Sequence, residues 1–129
     1  MKPNPVVWFE IYVQDMARAQ AFYESVFQCK LELMKLPEGL APGTQMLFFP
    51  GDNMASYGAA GMLVQMAGVP SGGGGTLVYF ACDDCAVEQG RVVAAGGQVM
   101  KPKFSIAPHG HIALVLDTEG NCIGLHSMK

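Results

Sequence analysis

The sequence predicts an α+β chain made of two tandem copies of one module, ordered strand, helix, strand, strand, strand. The stretch VVWFEIYVQDMARAQAFYESVF, Val6 to Phe27, runs as a strand that turns at an aspartate into an amphipathic helix. Offset by about 69 residues, LVYFACDDCAVEQGRVVAAGG after Thr76 repeats the pattern, and self-similarity at a fixed period marks a duplicated unit. Between the copies, GVPSGGGG over residues 68–75 has the composition of a flexible joint. The expected organisation is a single domain over 1–129, with module one at about 5–67, a linker at about 68–75 and module two at about 76–128.

Val6 to Val13 places bulky residues on both parities, as in a strand covered on both faces or lining a cavity on one. Trp8, Glu10 and Tyr12 share one face, and Val7, Phe9, Ile11 and Val13 share the other. Asp15 is a suitable N-cap, and Met16, Ala19, Phe22, Tyr23, Val26 and Phe27 follow at helical spacing, so the aromatics Phe22, Tyr23 and Phe27 are expected in the core. The helix should cover the aliphatic face of the strand and leave the Trp8, Glu10, Tyr12 face for something else.

Leu31 to Leu36 alternates weakly, Pro37 to Gly43 marks a loop, and Gln45 to Phe49 and Ala59 to Met66 form strands flanking a turn-prone segment from Gly51 to Tyr57. In the second copy, Leu77 to Cys82 is a strand and Asp84 an N-cap. Ala86, Val87, Gly90, Val93 and Ala94 carry the helical stripe until Gly96 and Gly97 end it. Gln98 to Phe104 contains Pro102, which places it near a sheet edge. His111 to Leu116 and Asn121 to His126 form a hairpin across Asp117, Thr118, Glu119 and Gly120.

A chain of 129 residues, half of them apolar, closes a core without staples. With 8 basic and 11 acidic residues scattered along it, nothing forms the electrostatic footprint of a nucleic-acid partner. No segment approaches the length of a membrane span, and Glu10 arrives too early for a signal sequence, so a cytoplasmic location is expected. Cys29, Cys82, Cys85 and Cys122 then read as reduced thiols, and the Cys82-Asp83-Asp84-Cys85 spacing lacks the second ligand pair a zinc site needs.

In this order and at these offsets, the aspartate-to-helix entry with Phe22-Tyr23, the Val78-Tyr79-Phe80 strand running into Asp83-Asp84, and Leu116-Asp117-Thr118-Glu119-Gly120-Asn121 resemble the vicinal oxygen chelate superfamily. That superfamily includes glyoxalases, extradiol dioxygenases and bleomycin-resistance proteins. The resemblance implies two βαβββ modules whose curled mixed sheets form a cleft, often completed by a second subunit, so a homodimer is expected. It also implies metal ligands on the first and last strands of each module. Three of those positions hold Trp8, Leu77 and Gly124, none of which can bind a metal. The fourth falls within Gly61 to Gln65, its register open.

If Trp8 faces the cleft, alternation adds Glu10 and Tyr12, and the corresponding rule adds Tyr79, Cys122 and His126. The expected ligand-binding set is Trp8, Glu10, Tyr12, Gln65, Tyr79, Cys122 and His126, with Glu10 and His126 as catalytic candidates and no metal or other cofactor. An aromatic lining with few polar groups suits planar or cationic small molecules. Glu10 reads either as a general base or partner of a ligand cation, or as a structural acid bonded to a neighbouring strand or to Arg or Lys. His126 reads as a proton shuttle or as a satisfied histidine, and His109 and His111, flanking Gly110, as exposed or supporting groups. Two functions follow: metal-free binding of a small molecule, by sequestration, or a glyoxalase-like lyase or isomerase using Glu10 as base with or without a metal relocated to Glu10, Cys122 and His126.

Overall fold

A computed structural model describes residues 4–36, 38–51 and 57–129. Pro37 in the expected loop, and residues 52–56 of the expected turn, lie outside the described residues. The elements run β1 (Val6–Tyr12), α1 (Met16–Phe27), β2 (Glu32–Leu33), β3 (Gln45–Phe48), β4 (Ala60–Gln65), β5 (Thr76–Ala81), α2 (Cys85–Val92), β6 (Gln98–Ser105), β7 (His111–Leu116) and β8 (Cys122–Ser127). This is the βαβββ order twice, an α+β chain. The hydrogen-bonded strand order is β2-β3-β4-β1-β5-β8-β7-β6. The sheet is mixed: β5 and β8 pair in parallel, and β2–β3, β3–β4, β6–β7 and β7–β8 are antiparallel.

The chain divides into two compact units, Phe9–Thr76 and Met1–Trp8 with Leu77–Lys129. The division passes through β1 rather than only through the glycine-rich joint. Residues on either side of Trp8 therefore take their neighbours from different parts of the sequence, and the Ala81 N–H donates to the Pro5 carbonyl at 2.9 Å. The joint itself is a pair of tight turns, closed by Val69 N–H to Met66 and by Gly75 N–H to Gly72.

In the first unit, α1 begins where Asp15 accepts the Arg18 N–H at 3.1 Å, and ends at Gln28 in the left-handed region, φ 51°. Gln65, at the end of β4, takes the Met16 N–H on its Oε1 at 2.7 Å. A helix has no internal partner for its first N–H groups, so this bond both satisfies one and fixes the helix over the sheet. Met16, Leu31, Leu47 and Leu63 form the buried core beneath, with Ile11, Val13, Ala19, Tyr23 and Phe49 packed on it.

The second unit repeats the device. Asp84 accepts the Ala86 N–H at 3.0 Å, and Ser127, at the end of β8, takes the Cys85 N–H on its Oγ at 3.0 Å. Cys85, Ala113, Val115 and Leu125 are buried together, against Phe80, Val92, Val99 and Ile123. The β7–β8 turn is held by Asp117, whose carboxylate accepts the N–H groups of Glu119 and Asn121 at 2.8 and 2.9 Å, and Gly120 supplies φ 82°. β6, carrying Pro102, ends the strand order, and its register shifts on both sides of Lys101, as expected of an edge strand holding a proline.

The structure corrects both helical stripes. Phe22, Val26 and Phe27 are exposed, not core: α1 buries the narrower row through Met16, Ala19 and Tyr23, and Phe22 and Val26 lie one position off it around the turn. On α2 the buried row is Cys85 and Val92, seven residues apart, while Ala86, Val87, Gly90, Val93 and Ala94 face outward. The strand expected over Leu31 to Leu36 is reduced to Glu32–Leu33.

Asp84 also accepts from Lys103 Nζ at 2.8 Å, and that bond, with the Ala86 N–H, holds its carboxyl below the usual aspartate range. The pair is partly solvated, so its contribution is small. A depressed folded-state value means the contribution is present above the ordinary aspartate value and fades as pH falls through the folded one. Thermal melts should show Asp84→Ala lowering the Tm by a few degrees at neutral pH and Asp84→Asn by less, since asparagine still caps; the gap between wild type and Asp84→Asn should close as the solution is acidified.

Candidate functional site

In each unit the helix covers one sheet face, and alternation sets what the other face displays. In the first unit Ile11, Val13, Leu47 and Leu63 lie under α1, so Glu10, Tyr12, Met46, Phe48, Met62 and Val64 point the other way. Met46, Met62 and Val64 are buried, and so is Glu10, at 9 % exposure. The Tyr12 hydroxyl donates to Glu10 Oε1 at 2.8 Å. A buried carboxylate requires hydrogen-bonded partners, and a tyrosine two residues along the same strand face is placed to be one. Gln65 is not on this face: its side chain is committed to the start of α1.

In the second unit, Phe80, Ile123 and Leu125 lie toward α2, so Leu77, Tyr79 and Ala81 on β5 and Cys122, Gly124 and His126 on β8 share the opposite face. Tyr79 is directly paired with Gly124, and its ring lies over the glycine so closely that any Cβ there would collide with it. Tyr79 and Leu77 are buried, Cys122 is exposed, and His126 is half-buried with its Nε2 2.7 Å from the His109 carbonyl. Only a protonated Nε2 makes that bond, which leaves Nδ1 of a neutral His126 as an acceptor. His109 is exposed, and His111, half-buried, has a buried Nδ1 without a hydrogen-bond partner. Trp8, half-buried on β1, belongs with this unit.

All four cysteines are free thiols. Burial pushes the Cys82 thiol up to about 11, helped by the neighbouring Glu88 carboxylate, and burial also raises Cys122. These are the opposite of the electropositive surroundings that make a reactive Cys-x-x-Cys thiolate.

The superfamily's metal does not fit the residues present. Trp8 offers only an N–H donor, Leu77 and Gly124 offer no ligating atom, and the space above Gly124 is filled by the Tyr79 ring. Among the described residues no three His, Cys, Asp or Glu side chains come together as a metal-holding group. Also among the described residues, no helix is long and apolar enough to cross a membrane.

Two modules of this order, a mixed sheet and a helix-free face in each unit are the arrangement that the resemblance to the vicinal oxygen chelate superfamily implies. Residues 6–28 match the family described as bleomycin resistance protein-like N-terminal. The chain is 29% identical over 119 residues to CFP32, a candidate glyoxylase of Mycobacterium bovis, and equally to its counterpart in Mycobacterium tuberculosis. The match covers 92% of this chain but 43% of those relatives, so the chain spans less than half their length. Among solved structures it is similar to hypothetical protein BH1468 of Bacillus halodurans, TM-score 0.69 at 16% identity, over 99% of this chain and 96% of that one. It is also similar to methylmalonyl-CoA epimerase of Mycobacterium tuberculosis, TM-score 0.67 at 14% identity, over 97% and 88%. At such identities these structures share the fold.

Sequence reasoning missed the second role of the closing strands, in which Gln65 and Ser127 anchor the helices. The signal was present: each is a polar residue ending an apolar strand.

Gly124→Ala should destabilise by about 1–3 kcal/mol through overpacking against Tyr79, and the same change should cost far less in a Tyr79→Ala background, as a denaturant double-mutant cycle reads directly. Timed alkylation followed by mass spectrometry should find Cys82 nearly inert at pH 8, labelling faster only as the pH approaches its raised value of about 11.

Proposed function

We propose that the chain binds a small organic molecule without a metal ion, with Glu10 and Tyr12 as the polar anchor on the helix-free face of the first unit. The observation that carries this reading is the Tyr12 hydroxyl bonded to the buried Glu10 carboxylate at 2.8 Å, on a face otherwise made of Met46, Phe48, Met62 and Val64. Small-molecule sites are mostly apolar with a few placed polar groups, and methionines adapt to irregular ligands. A carboxylate there favours a ligand that carries a cation or hydrogen-bond donors beside an apolar body. In the second unit, described by itself, Trp8, Tyr79, Cys122 and His126 are proposed as a ligand-facing set of their own. The similarity to a bleomycin-resistance family over residues 6–28 supports binding and sequestration as the activity.

A second reading is a glyoxalase-like lyase or isomerase, and the same buried carboxylate favours it. Glu10 would accept a proton from a carbon next to a carbonyl and return it, with no net oxidation and no second reactant. The fold shared with methylmalonyl-CoA epimerase supports this only at the level of the scaffold.

One variant separates the two. Trp8 is the sole tryptophan and stands two residues before Glu10 on β1, so its fluorescence reports on ligand titrations. Across a panel of planar aromatic amines, glycopeptides, glutathione thioethers and acyl-coenzyme A thioesters, at least one class should quench it with saturation. Glu10→Gln should weaken that ligand by about tenfold, the scale of a charge-assisted hydrogen bond, with no turnover by either protein. Turnover by wild type that falls about 100-fold or more in Glu10→Gln establishes the enzyme instead. Saturating quenching unchanged in Glu10→Gln would remove Glu10 from the site.

A further inference from the structure

The two helix-free faces differ in charge. The first unit's face holds the Glu10 carboxylate, and the second unit's face gains a lysine through an irregularity in β6. Ala113 and Val115 lie under α2, so Ile112 and Leu114 point the other way, to the side of Tyr79 and His126. Lys103 reaches Asp84 at the start of α2, so the next residue, Phe104, turns to that same opposite side, where it pairs with Ile112. By simple alternation Lys101 would share the side of Lys103. The register shift between Lys101 and Phe104 breaks the alternation: Lys101 pairs with Leu114, and its Nζ stands 4.1 Å from the Phe104 ring centroid. The bulge thus moves one ammonium from the helix side of the sheet to the helix-free side.

The strand register lines these groups up. Phe104, Ile112 and His126 are direct partners across three strands, and the Lys101 ammonium, seated on Phe104, heads that row. Neighbouring strands are about 4.8 Å apart, so Phe104 and His126 stand roughly 10 Å from each other with Ile112 between them. An ammonium has three donors, and a ring beneath it engages only part of them; among the described residues no carboxylate pairs with Lys101. Asp117, just past the end of β7, has its carboxylate taken up by the Glu119 and Asn121 N–H groups. At the far end of the row, the neutral His126 ring, held through Nε2 by the His109 carbonyl, presents Nδ1 as an acceptor. Phe104 and Ile112 are half-buried and form an apolar floor, and in the next row the Tyr79 ring lies over Gly124 as a side wall. We propose that this face is a site for a planar carboxylic acid about one aromatic ring long, with a hydroxyl or amino donor at its far end. The carboxylate sits on Lys101, the ring over Ile112, and the donor at His126 Nδ1. The sign of the charge selects the class, since the anion that Lys101 attracts is disfavoured by Glu10 on the other face. The inference rests on the second unit's helix-free face being ligand-facing and is separate from the Glu10 anchor.

Isothermal titration of the whole chain with para-hydroxybenzoate and with benzoate tests it. Para-hydroxybenzoate should bind with a Kd of about 1 mM or tighter, the scale of a small ligand held by two polar contacts and an apolar floor. Benzoate, which has no donor for His126, should bind about fivefold more weakly, as expected for one lost hydrogen bond. Lys101→Met should weaken both acids about tenfold while keeping the ratio between them. His126→Phe should erase that ratio, because the hydroxyl then has no partner. Lys103→Met removes a cation from the α2 side and should leave both affinities unchanged, and so should Glu10→Gln, which separates this site from the Glu10 anchor. The exposed Lys101 can be replaced without touching the core, so the comparison of the two acids in wild type and Lys101→Met stands even if His126→Phe does not fold. The proposal is overturned if para-hydroxybenzoate gives no saturable heat, if the two acids bind wild type equally, or if Lys103→Met or Glu10→Gln costs as much as Lys101→Met.

Discussion

Each helix is held at its first N–H by a side chain from the strand that closes its module. Gln65 does this for Met16 and Ser127 for Cys85, while Asp15 and Asp84 cap the N–H groups that follow. Helices of 12 and 8 residues are marginal alone in water, so these anchors and the packing beneath them are what make the helices persist. The anchors also decide which side of the sheet is covered. Once α1 lies on Ile11, Val13, Leu47 and Leu63, alternation leaves Glu10 and Tyr12 on the other side without further instruction.

The module order was legible because it rests on local signals. Asp15 and Asp84 as caps, Pro102 as an edge marker and the Asp117 to Gly120 turn each act over a few residues and stand where the sequence puts them, whereas α2 ends at Val92, short of the expected stop at Gly96 and Gly97. What stayed illegible depends on contacts distant in sequence. Phe22 and Phe27 obey helical spacing, yet spacing cannot say how wide a stripe the sheet will cover, and here it covers Met16, Ala19 and Tyr23. Val87 and Val93 misled in the same way on α2. Gln65 illustrates the candidate site: the last strand of module one was located, but its register was not, and the structure turns that side chain to the helix. Strand parity put Glu10 and Tyr12 on one face but not their bond, since a structural partner was expected on a neighbouring strand or from Arg or Lys, and the methionines beside them came into view only with the β3–β4 register.

The chemistry open to the chain is limited by what replaced the superfamily's ligand positions. Trp8, Leu77 and Gly124 carry no lone pair for a cation, and the last of these is overlain by an aromatic ring. Among the described residues, the helix-free faces carry a carboxylate bonded to a phenol, the Tyr79 phenol, an imidazole with one nitrogen engaged, and a weakly acidic thiol. Such groups hold polar atoms in place and accept protons.

The division of β1 at Trp8 has a consequence for how the gene could have been assembled or could be cut. Although the amino-acid pattern repeats, the two halves of the sequence are not interchangeable parcels: a fragment starting at Thr76 would leave behind Pro5, whose carbonyl receives the Ala81 N–H, and the strand start through Trp8 that belongs with it. Covalent continuity between the copies is therefore part of the architecture. An ancestor consisting of one copy would have had to borrow that strand start from a neighbour.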